Sequence, residues 1–397
     1  MRMRVWWFLG LVLILTPLMA LPAGAEAAAI PEQVQQQIDQ EIEKQLNELD
    51  IGQWEAFYNE LPGETKQLMP DGVLAALKQY AAGEGRIDAM SLLKLLGSLL
   101  LDQMRQQAGL MIQLVALAFL SGMVSRLSSS FENKHVNEVA TLACYCLAVV
   151  LMAVNIRQLV VLGQDTIAQM SRLMEIAFPL LMLLLAGSGG TVAAGLIQPT
   201  AAVLTSGISV FIRAGVMPLL IAAFVFSVVD NMSEDIHVSQ LSDLSRSVCK
   251  WLVGSVFTIY VGVISLQGMA SMRFDGITYR TAKYAVKQFV PVVGSMFSDS
   301  MSMVVGCSLL IQNAAGITAL VLLALTCLMP LVRIAAAIGL YKVTAALMQP
   351  VADKRMVTCV DAMTKVLTLL FISVLAGALM FFVTFGIAMG AGASIVG

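Results

Sequence analysis

Long apolar runs separated by short polar stretches dominate the chain from residue 108 onward. A helix needs about 20 consecutive apolar residues to cross a bilayer. By that measure the pattern predicts about seven or eight spanning helices, most of them rich in small residues: 108–124, 139–156, 191–212, 214–229, 251–269, 309–329, 331–348 and 366–389. Two shorter apolar pieces, 176–186 and 289–297, are either re-entrant elements or extensions of the next helix, which leaves the number of spans open.

Four prolines mark candidate helix breaks in this apolar region: Pro179, Pro218, Pro291 and Pro330. Met217-Pro218-Leu219 recurs as Met329-Pro330-Leu331, 112 residues later, and Pro179 and Pro291 have the same separation. Polar loops also predict three helical hairpins, at 108–157, 214–269 and 331–388. Together these features suggest a unit of three crossings that repeats in inverted orientation, as in many transport proteins. The alternative is that low-complexity apolar sequence simply matches itself.

The N-terminal part of the chain differs from the rest. Residues 1–25 have a basic start, an apolar run and a small-x-small end, which predicts a signal peptide, although an uncleaved anchor is the alternative. Residues 26–107 hold fourteen Asp and Glu against six Lys and Arg, with apolar residues at helical spacing. Trp54, Phe57 and Tyr58 form either its core or a docking surface. The prediction is an all-α, polytopic helical membrane protein, with a small extracytoplasmic helical domain at 26–107 and a membrane domain at 108–397.

Composition supports that class. The chain is 58% hydrophobic and 13% charged, whereas soluble domains carry about 25% charged residues. The lipid bilayer is therefore its expected surroundings, and no basic tract suggests binding to nucleic acid. The six cysteines lie in or beside apolar segments and are expected to be small buried residues. With eight spans, eleven Lys and Arg fall on one side and five on the other, which places the N-terminal domain outside.

No pattern in the chain points to catalysis. The glycine cluster at 187–190 lacks a following Lys, and the two His residues have no second ligand nearby, so no enzyme activity, cofactor or metal is expected. The remaining signals are charged residues at the edges of apolar segments: Glu175, Arg213, Asp299 and Arg333. Because charge is costly in hydrocarbon, they either line a polar path or reach the interface as helix-end residues.

The stretch DGITYRTAKYAVKQFVPVVGSMFSDS, residues 275–300, resembles the signature of the stage III sporulation protein AE family of endospore-forming bacteria. The resemblance implies a protein of the mother-cell membrane around the forespore. There it would join a channel or secretion-like complex with the other stage III A proteins and the forespore protein stage II Q. The alternatives are a stand-alone small-solute transporter with inverted repeats, and a pure scaffold. The sequence shows no paired polar site near mid-membrane, which favours the subunit.

Overall fold

The computed structural model describes residues 51–66, 69–82, 89–128, 134–232, 238–289 and 294–396. Side chains are described within these ranges except at 64–65, 89–95, 125–128, 134–138, 268–289, 294–305 and 392–396. The predicted signal peptide at 1–25, residues 26–50 and Pro291 lie outside the described residues, as does the side chain of Asp299. The described part of the chain is helical and contains no strand.

Ten α-helices follow one another along the described residues: α1 Gly52–Glu60, α2 Gly63–Lys66, α3 Gly72–Ala81, α4 Ala89–Ser128, α5 Lys134–Gly187, α6 Thr191–Val210, α7 Met217–Asp230, α8 Ser239–Phe289, α9 Gly294–Met348 and α10 Lys354–Val396. A π-helix, Phe211–Val216, joins α6 to α7 without a loop. Six stretches are long and apolar enough to cross a membrane: Leu96–Val124, Val139–Gly187, Thr191–Asp230, Ser239–Gln267, Gly306–Met348 and Lys354–Ala391. The protein is a multi-pass, all-α membrane protein.

Two pairs of predicted spans are continuous helices in the structure. The chain stays helical through Arg213, where a loop was predicted, and through Pro330, which lies inside α9. The apolar piece 176–186 is likewise the end of α5, which continues past Pro179. A proline inside a helix removes one backbone hydrogen bond, but in membrane helices neighbours and local π geometry compensate for that loss. The π-helix directly before Met217-Pro218 is such an adjustment.

The two helices that carry the repeated Met-Pro pair run in the same direction. The Tyr145 hydroxyl donates to the carbonyl oxygen of Val228, 2.8 Å away, near the end of α7. The same side chain lies beside Cys359, near the start of α10. The end of α7 and the α9–α10 turn therefore lie at the same end of the bundle, and α7 is parallel to α9. The inverted arrangement of these two helices is not found, and the repeat itself stays a prediction.

Helices α9 and α10 form the centre of the bundle, and the other long helices surround them. Most of the apolar side chains of the two central helices are buried, including Phe381 and Phe385. Glycines permit close helix contacts around this centre: a Cβ added at Gly377 would come within 2.6 Å of Ile167 and 2.8 Å of Ile212. In lipid the hydrophobic effect does not bring helices together. Small residues at the contacts allow the close van der Waals packing that stabilises the bundle instead.

Helices α1 to α3 form a small cap on one end of the bundle. Trp54, Phe57 and Tyr58 are buried, which favours the core over the docking surface of the two alternatives, and α3 packs against α9. Burial, with the nearby Asp71 as the smaller cause, raises the pKa of Tyr58. The predicted domain boundary at 107/108 falls inside α4, which runs unbroken from Ala89 to Ser128.

An ion pair fixes the cap on α5. The Arg172 guanidinium donates to both carboxylate oxygens of Glu60, at 2.6 and 3.1 Å. Both side chains are more than half exposed, and because charges that the protein does not cover are costly in hydrocarbon, we expect this end of α5 to lie in water. We call the part of the bundle next to the cap the cap half, and the part next to the C-terminal ends of α7 and α9 the turn half.

Candidate functional site

A polar cleft opens on the side of the bundle between α4, α5 and α9. Its volume is about 470 Å³, and eight of its fourteen lining residues are polar: Gln106, Gln107, Asn155, Gln158, Asp165, Arg333, Tyr341 and Thr344. Small-molecule and cofactor sites in proteins commonly occupy about 300–1,000 Å³. This cleft, which we call the polar cleft, is the candidate functional site.

The floor of the polar cleft is fixed by hydrogen bonds. The buried Tyr341 hydroxyl donates to the Asn155 carboxamide oxygen at 3.2 Å, and this contact ties α9 to α5. The buried Thr344 hydroxyl donates to the carbonyl oxygen of Leu340 at 2.8 Å, within its own helix. Because Asn155 accepts through its oxygen, its amide N–H groups remain as donors and have no hydrogen-bond partner among the described residues.

The rim of the polar cleft carries one positive and one negative side chain. Arg333 and Asp165 are both exposed, and neither forms an ion pair with a described residue. The Gln107 amide nitrogen donates to the backbone oxygen of Arg333 at 3.2 Å, which joins α4 to α9 beside the rim. Counted from the Asn155–Tyr341 bond at about 1.5 Å per residue, Asp165 lies about 15 Å and Arg333 about 12 Å towards the cap. The opposite charges thus stand at similar heights on facing helices.

Three exposed arginines lie part-way along the long helices. Arg157, Arg213 and Arg333 are each about 22–27 Å from the turn-half end of their apolar stretch, at 1.5 Å per residue. That distance approaches the hydrocarbon thickness of about 30 Å. Arginine in an apolar setting reaches for the headgroup layer. We take the level of these three arginines along the bundle as the expected membrane interface.

The four charged residues predicted from the sequence do not form one site. Arg333 lines the polar cleft. Glu175 is exposed on α5, ten residues beyond Asp165, and Arg213 is exposed in the π-helix. The side chain of Asp299 lies outside the described residues. Of the predicted prolines, Pro179 and Pro330 sit within continuous helices and Pro218 is the second residue of α7.

Sequence reasoning missed Asp165, Asn155 and Tyr341 as members of one cleft. The predicted span ended at 156, and the next apolar piece began at 176, so Asp165 fell in a supposed loop. A usable signal was present, because exposed polar residues recur at helical spacing through this segment, at 158, 165, 169, 172 and 175. That spacing predicts one continuous helix with a polar outward face, as the structure shows.

Another arginine of the bundle contrasts with Arg333. Arg246 is nearly buried between α7 and α8, and its guanidinium donates to Asp243 at 3.1 Å and to the Ser227 hydroxyl. The Ser227 and Ser242 hydroxyls share a hydrogen bond of 2.7 Å. This network closes the α7–α8 hairpin and has a structural role. Among the described residues no group of His, Cys, Asp and Glu is placed to hold a metal ion.

Comparisons with known proteins identify the family. The family model of stage III sporulation protein AE matches residues 73–392, most of the chain. The chain belongs to the stage III sporulation protein AE family. The stage III sporulation protein AE of Bacillus subtilis (strain 168) is 29% identical over 392 residues, which cover 99% of this chain and 98% of that protein. No solved structure matches the chain.

The match to the stage III sporulation protein AE family includes every helix of the polar cleft. It begins at Val73, the second residue of α3, and ends inside α10. Helices α1 and α2 fall outside the family model, whereas the Bacillus subtilis relative aligns over nearly the whole chain. This AE-family chain is thus a multi-pass membrane protein of sporulation.

Proposed function

We propose that the chain is a non-enzymatic membrane subunit of a channel or secretion-like complex that links mother cell and forespore and supports forespore development. Its partners are other stage III A membrane proteins and the forespore protein stage II Q. It lies in the mother-cell membrane around the forespore, with its N-terminal domain on the extracytoplasmic side. Family membership supports the sporulation role, and the signal-peptide pattern at 1–25 supports the placement of that domain.

One observation carries the proposal that the chain works with partner proteins. Exposed aliphatic side chains follow the outward face of α6 and α7 from Val192 to Val225, a length of about 50 Å at 1.5 Å per residue. The hydrocarbon core is about 30 Å thick, and helix tilt reaches at most about 40°. The bilayer therefore leaves part of this face uncovered, and exposed apolar surface of this kind marks a protein contact.

The cap half is the part that projects from the bilayer in this account. Arg213 divides the long face, with Leu196 and Val203 on the cap side and Ile221 and Val225 on the turn side. The cap and the water-exposed Glu60–Arg172 pair are at the cap end. We place the turn half in lipid and assign the aliphatic face of α6 in the cap half to partner membrane proteins.

The filled interior of the bundle favours a subunit over a self-sufficient transporter. The central helices bury aliphatic and aromatic side chains, and the polar cleft opens at the side of the bundle. A polar passage that involves this chain must therefore be completed by a neighbouring protein. A stand-alone transporter would need its polar site between the central helices, where the described residues provide none of ionic character.

Site-specific photo-crosslinking in sporulating cells tests the proposal. A photoreactive amino acid replaces Val203 in the cap half or, as the matched control, Val225 in the turn half; both positions are exposed and aliphatic. We expect Val203 variants to form crosslinks to other stage III A membrane proteins and Val225 variants to react mainly with lipid. If Val203 variants form no protein crosslinks while the chain is present and functional, the proposed subunit role is wrong.

A further inference from the structure

An apolar surface extends from the polar cleft along the outward faces of α4 and α5. On α4, the residues after Met111 present Ile112, Phe119 and Leu120 outward; on α5, the residues before Asn155 present Val154 and Val150 outward. Gly122 of α4 lies against Val351 in the α9–α10 turn, so both apolar faces extend from the cleft towards the turn half. The cleft and its flank together form an amphipathic surface with charges at one end.

The two charged side chains at the rim determine which charged groups a ligand of the polar cleft must carry. Arg333 offers a forked donor suited to phosphate oxygens, and Asp165 offers an acceptor for an ammonium group. A lone carboxylate is a poor cation site, because Ca²⁺ and Mg²⁺ collect several oxygen ligands. A purely anionic ligand would be repelled by Asp165, and a purely cationic one by Arg333. A ligand that carries both a phosphate and an ammonium group satisfies both side chains.

We infer that the polar cleft binds the headgroup of a zwitterionic ethanolamine phospholipid from the bilayer leaflet on the cap side. Its phosphate pairs with Arg333 and its ammonium with Asp165, while the acyl chains lie along the outward faces of α4 and α5. The height of the cleft along the bundle agrees with a headgroup site, because Arg333 is one of the three exposed arginines whose level we take as the membrane interface. The inference goes beyond the subunit role, since it concerns the lipid and not the partner proteins.

Lipid binding can be measured on the purified full-length chain in non-ionic detergent. The probes are phosphatidylethanolamine, phosphatidylglycerol and phosphatidylcholine with identical acyl chains, and native mass spectrometry counts the bound molecules. We expect one phosphatidylethanolamine to be retained several-fold more strongly than either of the other lipids, and to raise the thermal unfolding midpoint. Soluble phosphoethanolamine, which has the headgroup and no acyl chains, should bind much more weakly.

Matched variants locate the site. Arg333→Gln and Asp165→Asn should each abolish the preference for phosphatidylethanolamine. Lys342→Gln on α9 and Glu175→Gln on α5 remove the same charges from exposed positions outside the cleft and should preserve it. All four changes are at exposed side chains, and thermal unfolding without lipid checks that each variant is folded.

Several outcomes would overturn the inference. Retention of phosphatidylglycerol at least as strongly as phosphatidylethanolamine would make the cleft an anion site, and equal binding of phosphoethanolamine would make it a solute site. Loss of preference in the Lys342 or Glu175 variants would show a general charge effect. If no preference for phosphatidylethanolamine is measured but crosslinks to partner proteins still form at Val203, the lipid site is wrong and the proposed subunit role stands.

Discussion

Single residues set the packing of this bundle where helices approach most closely. Gly122 of α4 faces the α9–α10 turn, and a Cβ added there would lie 2.1 Å from the carbonyl oxygen of Val351. The neighbouring atom belongs to the backbone, so it cannot swing away as a side chain would. The sequence marked this region as rich in small residues, but it gave no means to single out Gly122, because the contact joins segments more than 200 residues apart.

Gly122→Ala should therefore destabilise the chain, by about 1–3 kcal/mol as for overpacked sites in general. Gly109→Ala on the same helix is the control, since no atom lies within 4 Å of its added Cβ. At Gly109 the only expected effect is an increase of about 0.5–1 kcal/mol in the free energy of unfolding, because alanine favours the helix more than glycine does. Thermal unfolding in detergent should show a lower midpoint for the first variant and an equal or higher one for the second. Equal shifts would mean that α4 does not contact the turn.

Charged residues show both the reach and the limit of sequence reasoning. Arg333 could be selected because it interrupts an apolar run. Its opposite, Asp165, could not, because the boundaries of the predicted spans depended on hydropathy alone and assigned its segment to a loop. The geometry of the cleft depends on the register of α5 against α9, which the Asn155–Tyr341 bond fixes and which hydropathy does not encode.

Whole elements were predicted well by type and less well by extent. The sequence predicted helices throughout, and the described residues are helical. The boundaries at Arg213 and Pro330 were wrong, because a charge and a proline were treated as loop signals in helices that continue past both. With six apolar stretches instead of eight spans, the basic segment at 273–287 falls on the opposite side from before. The charge count then no longer orients the chain, and the side of the N-terminal domain depends on the signal-peptide pattern.

Helical continuity through Arg213 can be measured directly. Spin labels at Ser206 and Ile221, both exposed, are separated by 15 residues. A continuous helix puts their backbones about 22 Å apart, whereas a hairpin at Arg213 would bring them to about 10 Å. Pulsed electron paramagnetic resonance should give the longer distance. Labels at Val225 and Leu241 span the real α7–α8 hairpin and should give a short one; a short distance for both pairs would restore the eight-span topology.

At the scale of the whole molecule, the decisive property is the length of the apolar helices compared with the thickness of a bilayer. The apolar stretches from Val139 to Gly187 and from Thr191 to Asp230 contain 49 and 40 residues, whereas about 20 suffice to cross a bilayer. Exposed arginines divide the long helices, one cap sits at one end, and a polar cleft opens at the dividing level. These features support the proposal that one half of the bundle lies in lipid and the other half contacts partner proteins.

The most direct test of this placement is the depth of the α6–α7 face in a bilayer. Spin labels at Leu196, Val203, Ile221 and Val225 of the purified chain in phospholipid vesicles can be probed with oxygen, which concentrates in lipid, and with a water-soluble nickel chelate. We predict high oxygen collision rates at Ile221 and Val225, and low oxygen with higher nickel rates at Leu196 and Val203. High oxygen rates at all four positions would show that lipid covers the entire face, and would contradict the assignment of its cap half to partner proteins.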